Sequence, residues 1–159
     1  MHRSADKRGH QMSSIAVSAE GIALPSWSRR CKISAKKVLR EISEDSHEIS
    51  IVFCNNHFIE NLNKDYRGKD EPTDVLSFAQ YDGDSINGHG LAGDIVISLD
   101  AAAENAREFH VDEEEEIKRL IVHGIMHLLG WDHSDNSPEQ EMLKLQEKIL
   151  ADLKGERLL

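Results

Sequence analysis

"IKRLIVHGIMHLLGWDH", residues 117–133, is the stretch whose reading decides how this chain is built. On a helical wheel Ile117, Leu120, Ile121, Gly124, Ile125 and Leu128 share one apolar face. His123 and His127 are four residues apart, so they stand one turn from each other at the edge of that face. Two imidazoles placed there can share one metal ion. A straight helix cannot bring His133 to the same point, because the chain must turn first. Gly130 stands where a helix end needs a left-handed residue, which glycine adopts without steric cost. A helix, a glycine turn and a third histidine, in that order, deliver three imidazoles to one ion.

Three neutral nitrogen ligands leave one coordination position open, as in catalytic zinc sites. Structural zinc sites close all four positions and favour cysteine. The expectation is one zinc ion per chain, held by His123, His127 and His133. A single histidine on a helix edge is ordinarily a satisfied side chain, and a pair at this spacing is common. The third histidine beyond a glycine turn is what separates this stretch from chance. The other six, at 2, 10, 47, 57, 89 and 110, show no such pattern and read as surface or core.

The spacing fits the zinc-peptidase pattern H-E-x-x-H-x-x-G-x-x-H at every fixed position except the glutamate, which is Gly124 here. In those peptidases the glutamate is the general base. Glycine moves no proton, and an amide leaving group must be protonated. Phosphodiester cleavage suits the remaining chemistry better, because zinc lowers its water's pKa to about 7 and an arginine can neutralise charge on phosphorus oxygens.

Working outward, the spacing predicts a helix after Pro25, with Trp27, Cys31, Ala35, Val38 and Ile42 on one face. "HEISIVFC" (47–54) alternates Ile49, Ile51 and Phe53 and reads as a strand. "NNHFIENLNKDY" (55–66) reads as a short helix, "TDVLSFAQY" (73–81) as a strand, and glycines 83, 88, 90 and 93 as a turn-rich loop. "DIVISL" (94–99) is apolar on both faces and therefore central in its sheet. "AAAENAREF" is helical, and Asp112 with Glu115 reads as a capping box for the next helix. Ser137-Pro138 with Gln140 repeats the pattern for a last helix striped by Met142, Leu145, Ile149 and Leu153. A further strand is expected near 14–19. The fold class is α+β: a small mixed β-sheet of about four strands packed with helices, one of them a zincin-like metal-bearing helix. Residues 1–13 read as a disordered extension and 14–159 as a single catalytic domain.

The 159 residues suffice for one domain with a real core. No apolar run approaches the roughly 20 residues of a spanning helix, so no membrane role is expected. The polar start "MHRSADKRGHQMSS" lacks the apolar segment of a secretory signal. Cys31 and Cys54 read as two buried free thiols, which points to a reducing cytoplasm. Net charge is −10, against a nucleic-acid partner on average. Yet "SRRCKISAKKVLR" (28–40) holds six basic residues and no acid, while "VDEEEE" (111–116) is acidic. Both runs read as solvated helix surface, with a polyanion-handling face as the alternative.

"HGIMHLLGWDH" resembles the H-G-x-x-H-L-x-G-[YW]-D-H motif of the YbeY-type ribosomal-RNA maturation endoribonucleases. "LNKDYRGKDEPTDVLSF" (62–78) is similar to that family's Y-R-x-x-D-x-x-T-D-V-L-S-F segment, and "GDIVIS" (93–98) to its G-D-I-x-I-[SC] strand. The blocks agree in order and spacing, and the resemblance covers about residues 14–154. Ala79, where the family often has proline, Met126 and Trp131 are small departures. The resemblance implies a single-strand-specific, zinc-dependent endoribonuclease of the cytoplasm. It implies maturation of ribosomal RNA, notably the 3′ end of the small-subunit RNA, and ribosome quality control. Its partners would be single-stranded ribosomal RNA and the ribosome or small-subunit assembly proteins. The family's functionally important arginine falls on Arg67, giving it the catalytic role of holding phosphate.

From the residues alone, Arg67 reads as a surface ion pair with neighbours such as Asp65, Asp70 or Glu71. Asp94 is either a carboxylate that orients a ligand or acts as a base, or a strand-end turn residue, and Asp132 either supports a ligand or serves the turn. No general base is assigned. Two other functions stay open: a zinc peptidase with its base elsewhere, and a non-catalytic zinc-containing ribosome-assembly factor. A basic concave face near the zinc, drawing on 28–40 and Arg67, is expected of the RNA enzyme.

Overall fold

The computed structural model describes residues 13–43, 46–80, 92–130 and 136–155. The extension up to residue 12, the glycines at 83, 88 and 90, and Trp131, Asp132 and His133 lie outside the described residues. Among the described residues, the strands are β1 (Ser14–Glu20), β2 (Glu48–Cys54), β3 (Val75–Gln80) and β4 (Ala92–Ser98), and the helices are α1 (Ser28–Ile42), α2 (Asn56–Arg67), α3 (Leu99–Phe109), α4 (Glu113–Leu128) and α5 (Asn136–Asp152).

The strands form one sheet in the order β1-β2-β4-β3. β1 runs parallel to β2, with Ser14 opposite Glu48 and Glu20 opposite Cys54, and α1 is the crossover between them. β4 lies parallel on the other side of β2, and β3 pairs antiparallel with β4 to form an edge. The sheet is thus mixed, as expected, and "DIVISL" is internal to it.

The period-2 alternation divides the apolar residues between two faces. Ile49, Ile51, Phe53, Ile95 and Ile97 point into the main core, beneath α1, α3 and α4. Cys54, Leu76 and Val96 point the other way, against Ile59 of α2. Each fully buried isoleucine or phenylalanine contributes about 1.5–3 kcal/mol. Trp27, just ahead of α1, sets its ring edge-on to Phe53 with centroids 5.0 Å apart. α1 itself begins at Ser28, whose N–H donates to the Pro25 carbonyl at 3.2 Å.

Local signals account for the helix ends. The Asn55 side chain accepts from the Phe58 N–H at 2.9 Å and starts α2; Ser98 does the same for α3 at 3.1 Å to Ala101. Asp112 stands at the cap of α4 with extended backbone, but its side chain makes no capping bond, so the expected capping box is not formed. The four glutamates of that first turn still suit the positive end of the helix dipole. α5 starts at Asn136, one residue before the expected Ser137 cap.

α4 is the organising helix. Its wheel predicts one apolar face, but Val122 and Met126 are fully buried as well as Ile121 and Ile125. The sheet flanks it on one side and α1, α3 and α5 flank it elsewhere, so no broad face is left for water. Two glycines set how closely it approaches β4. A Cβ on Gly124 would come within 2.7 Å of Ile95 Cγ2, and one on Gly93 within 2.8 Å of Leu128 Cδ2. Cys31 and Cys54 are free and buried, and burial pushes both thiols up to about 12.

Candidate functional site

The C-terminal turns of α4 and the edge strand β3 enclose an open cleft of about 490 Å³. Its walls include Arg67, Asp74, Ser77, His123, His127 and Leu128. Arg67 is the last residue of α2, in the turn that Gly68 closes with φ 71°. Residues 56 apart in sequence thus line one cleft: the arginine of "YRGKD" and the first histidine of "HGIMH". The fold joins them because α2 leads directly into β3, and β3 lies alongside α4.

His123 Nε2 and His127 Nε2 are 3.0 Å apart. The rings meet edge-to-face with centroids at 4.4 Å. Nitrogens bound to one tetrahedral zinc at about 2.0–2.1 Å stand roughly 3.3 Å from each other, so this pair fits a shared ion with a shift of a few tenths of an ångström. His123 Nδ1 and Gln146 Oε1 on α5 are 3.2 Å apart. With the amide oxygen as acceptor, the ring proton sits on Nδ1 and the Nε2 lone pair faces His127. The donor set is therefore chemically suited to a divalent ion. Among the described residues no group of three or more His, Cys, Asp and Glu is placed to hold a metal, and His133 lies outside them. Gly130, whose turn must redirect the chain, has φ 101° as its position requires.

Gly124 has a structural reason beyond the missing glutamate. Its Cα faces Ile95 across the α4–β4 contact, and its carbonyl accepts from Ser77 Oγ at 3.2 Å. A glutamate at 124 would have to displace Ile95 before it reached any substrate.

Asp74 is a site residue that the sequence reading passed over inside the "TDVLSF" block. Its Oδ2 accepts from Asn105 Nδ2 at 3.1 Å, and the same amide nitrogen donates to Glu116 Oε2 at 3.0 Å. Glu116 is 3% exposed, and burial raises its carboxyl above the ordinary range, against the pull of Asn105 and Arg119. Gln146 was also missed; its side chain is legible only once α5 is docked on α4. Tyr66, next to Arg67, is 68% exposed and rests edge-on against Phe78 at 5.1 Å.

Two expectations are corrected. Asp94 is neither a strand-end residue nor in the cleft wall; it lies within β4 and accepts from Gln80 Nε2 at 3.0 Å. None of the basic residues 28–40 lines the cleft among the described residues. Lys37 and Arg40 instead border a separate groove between α1 and α5, with Glu41 and Asp152. α1 packs on the β1 side of the sheet, whereas the cleft opens at β3.

The comparisons agree with this architecture. The family model described as Endoribonuclease YbeY matches residues 18–154. Endoribonuclease YbeY of Treponema denticola is 57% identical over 122 residues, covering 75% of this chain and 79% of that protein. Its counterpart in Treponema pallidum strain Nichols is 48% identical over 145 residues, 89% of this chain and 90% of that one. The solution structure of TM1509 from Thermotoga maritima superposes with a TM-score of 0.65 at 29% identity, over 89% of this chain and 90% of that one. The match spans the sheet, the cleft and the histidine helix together, and on that ground the chain belongs to the Endoribonuclease YbeY family.

Proposed function

We propose that this chain is a zinc-dependent endoribonuclease that cuts single-stranded RNA. Its substrate is ribosomal RNA, with maturation of the 3′ end of the small-subunit RNA and ribosome quality control as its roles. The observation that carries this reading is one cleft shared by Arg67, His123 and His127. Family membership supplies the reaction class. The zinc ligands are His123, His127 and His133, and the ion, when bound, supplies Lewis-acid chemistry that acidifies a water and polarises a phosphate oxygen.

The chain's own groups do the rest. Arg67 offers a planar fork to the phosphate and neutralises charge that builds on its free oxygens. Ser77 and Gly124 tie β3 to α4, which fixes the width of the cleft. Tyr66 presents an exposed ring beside Arg67, and an unpaired base can stack on such a ring where a paired base cannot. With both histidines neutral, the charged side chains of the cleft wall among the described residues are Arg67 and Asp74, of opposite sign. Attraction for a phosphate therefore rests on Arg67 and the divalent ion, which reconciles an RNA substrate with a chain of net charge −10. A peptidase mechanism lacks its base, since the glutamate position is filled by the contact with Ile95. No helix among the described residues is long and apolar enough to cross a membrane, which suits action on ribosomes in the cytoplasm.

The test is metal analysis together with a single-stranded RNA cleavage assay. The wild type is expected to hold one zinc per chain and to cleave. His127→Ala is expected to lose both zinc and cleavage. Arg67→Ala is expected to keep zinc and lose about 100-fold or more in cleavage rate. Undiminished cleavage by Arg67→Ala would remove the arginine from the mechanism. Normal ribosomal RNA in cells carrying only that variant would favour a non-catalytic assembly factor.

A further inference from the structure

α5 is fastened to α4 by an apolar stripe and three polar links. Met142, Ile149 and Leu153 are buried along the stripe. Lys118 Nζ donates to the Leu153 carbonyl at 2.9 Å, Arg119 pairs with Glu147, and Gln146 meets His123. The exposed Arg119–Glu147 pair and the buried Lys118–Leu153 bond, which ties down the end of α5, account for themselves as fastening. Gln146 does not. It sits on the buried stripe with Met142 and Ile149, 5% exposed. Burying an amide costs free energy unless it is hydrogen-bonded, and the side-chain partner of this one is the imidazole whose other nitrogen opens onto the cleft.

We propose that Gln146 is a positioning residue for the metal centre: it holds His123 in the Nδ1–H tautomer and aims its Nε2 lone pair at the ion. The proposal rests on the metal reading of the cleft. The carbonyl oxygen of an amide accepts and cannot donate, so an imidazole docked on Gln146 Oε1 must carry its proton on Nδ1. Turning the ring over would set carbon against the amide oxygen and remove nitrogen from the cleft. His127 Nε2 lies 3.0 Å from His123 Nε2, on the same side of the cleft. Partners of this kind orient metal-binding histidines, and losing one weakens metal affinity by about 10–100-fold.

The experiment compares the full chain as wild type, Gln146→Met and Gln146→Glu. Methionine keeps the volume and removes the acceptor; glutamate keeps the acceptor. Zinc affinity is measured by competition with a chelator of known strength, and the metal-free proteins are melted in parallel. The imidazole tautomer is read in the metal-free proteins from long-range nitrogen–proton NMR correlations. Gln146→Met is expected to bind zinc about 10–100-fold more weakly with no loss of melting temperature. Gln146→Glu is expected to bind at least as tightly as the wild type. His123 is expected to be the Nδ1–H tautomer in the wild type and a mixture in Gln146→Met. Equal zinc affinity of wild type and Gln146→Met would overturn the proposal, as would a wild-type His123 protonated on Nε2. A wild type that binds no zinc, while its His123 is the Nδ1–H tautomer, would instead overturn the metal reading beneath it.

Discussion

Helix α4 has a depression at each end, and the two differ in kind. The one at its N-terminal end is the larger, about 570 Å³ against about 490 Å³. Its walls carry four acids and three bases, and two of the cations are already engaged: Arg119 with Glu115, Glu116 and Glu147, Lys118 with Glu114 and the Leu153 carbonyl. Those charges answer one another and clamp α5 down. At the other end Arg67 comes from α2 and the imidazoles come from α4, and groups from separate elements line one open cleft. Size and charge density would select the first depression; the second is the one whose groups converge.

Three substitutions probe that contrast, the first at the contact that sets the position of both ends. Gly124→Glu drives a charged side chain into Ile95 and is expected to cost more than about 3 kcal/mol. Gly124→Ala meets the same methyl at 2.7 Å, and is expected to lower the urea midpoint by the equivalent of about 1–2 kcal/mol after its gain in helix propensity. A Gly124→Ala protein as stable as the wild type would show that α4 can slide on the sheet. Next, Arg119→Ala removes the hub of the N-terminal end. Its ion pairs are half-exposed, so the expected loss is about 0.5–1 kcal/mol in the same denaturant assay, with zinc affinity and RNA cleavage unchanged. A large fall in cleavage would join the two ends functionally and break the comparison.

The smallest expected effect concerns Glu116. Its carboxyl is raised above 4.5 mainly by burial, with Asp74 and Glu115 adding to the rise while Asn105 and Arg119 oppose it. An acid with a higher pKa folded than unfolded binds its proton more tightly in the native state. Its contribution is therefore full below pH 4.5 and is lost as pH rises through the folded pKa. Glu116→Gln is expected to flatten that part of the stability–pH curve, followed by denaturation at a series of pH values. An unchanged slope would mean that the buried carboxylate is fully compensated.

Local patterns made much of this legible. The Ile49–Ile51–Phe53 alternation, the doubly apolar "DIVISL" and the His123–His127 spacing each follow from the period of one element, so one sequence window contains the whole signal. The turn at Gly130 is of the same kind. The family motifs brought Arg67 into view, but its place in one cleft with His123 depends on the path of α2 into β3. What escaped was set between elements. Gly124 is glycine because of Ile95 on another strand, and Gln146 is polar because of His123 on another helix. The 28–40 run misled because a sequence shows that charge is clustered, not which side of the sheet its helix will cover. Asp94 misled because β4 begins two residues earlier than its apolar run.

The dependence of His123 on Gln146 gives the site a place in the order of synthesis. A ribosome that has released the chain only as far as Gly130 has made Arg67 and both helix imidazoles, and β2, β3 and β4 are available to pair. The acceptor that turns His123 towards the cleft is still to come, and reaches it only when α5 folds back along α4. On the proposed reading, the metal centre reaches its full affinity only after the C-terminal helix has been made and docked.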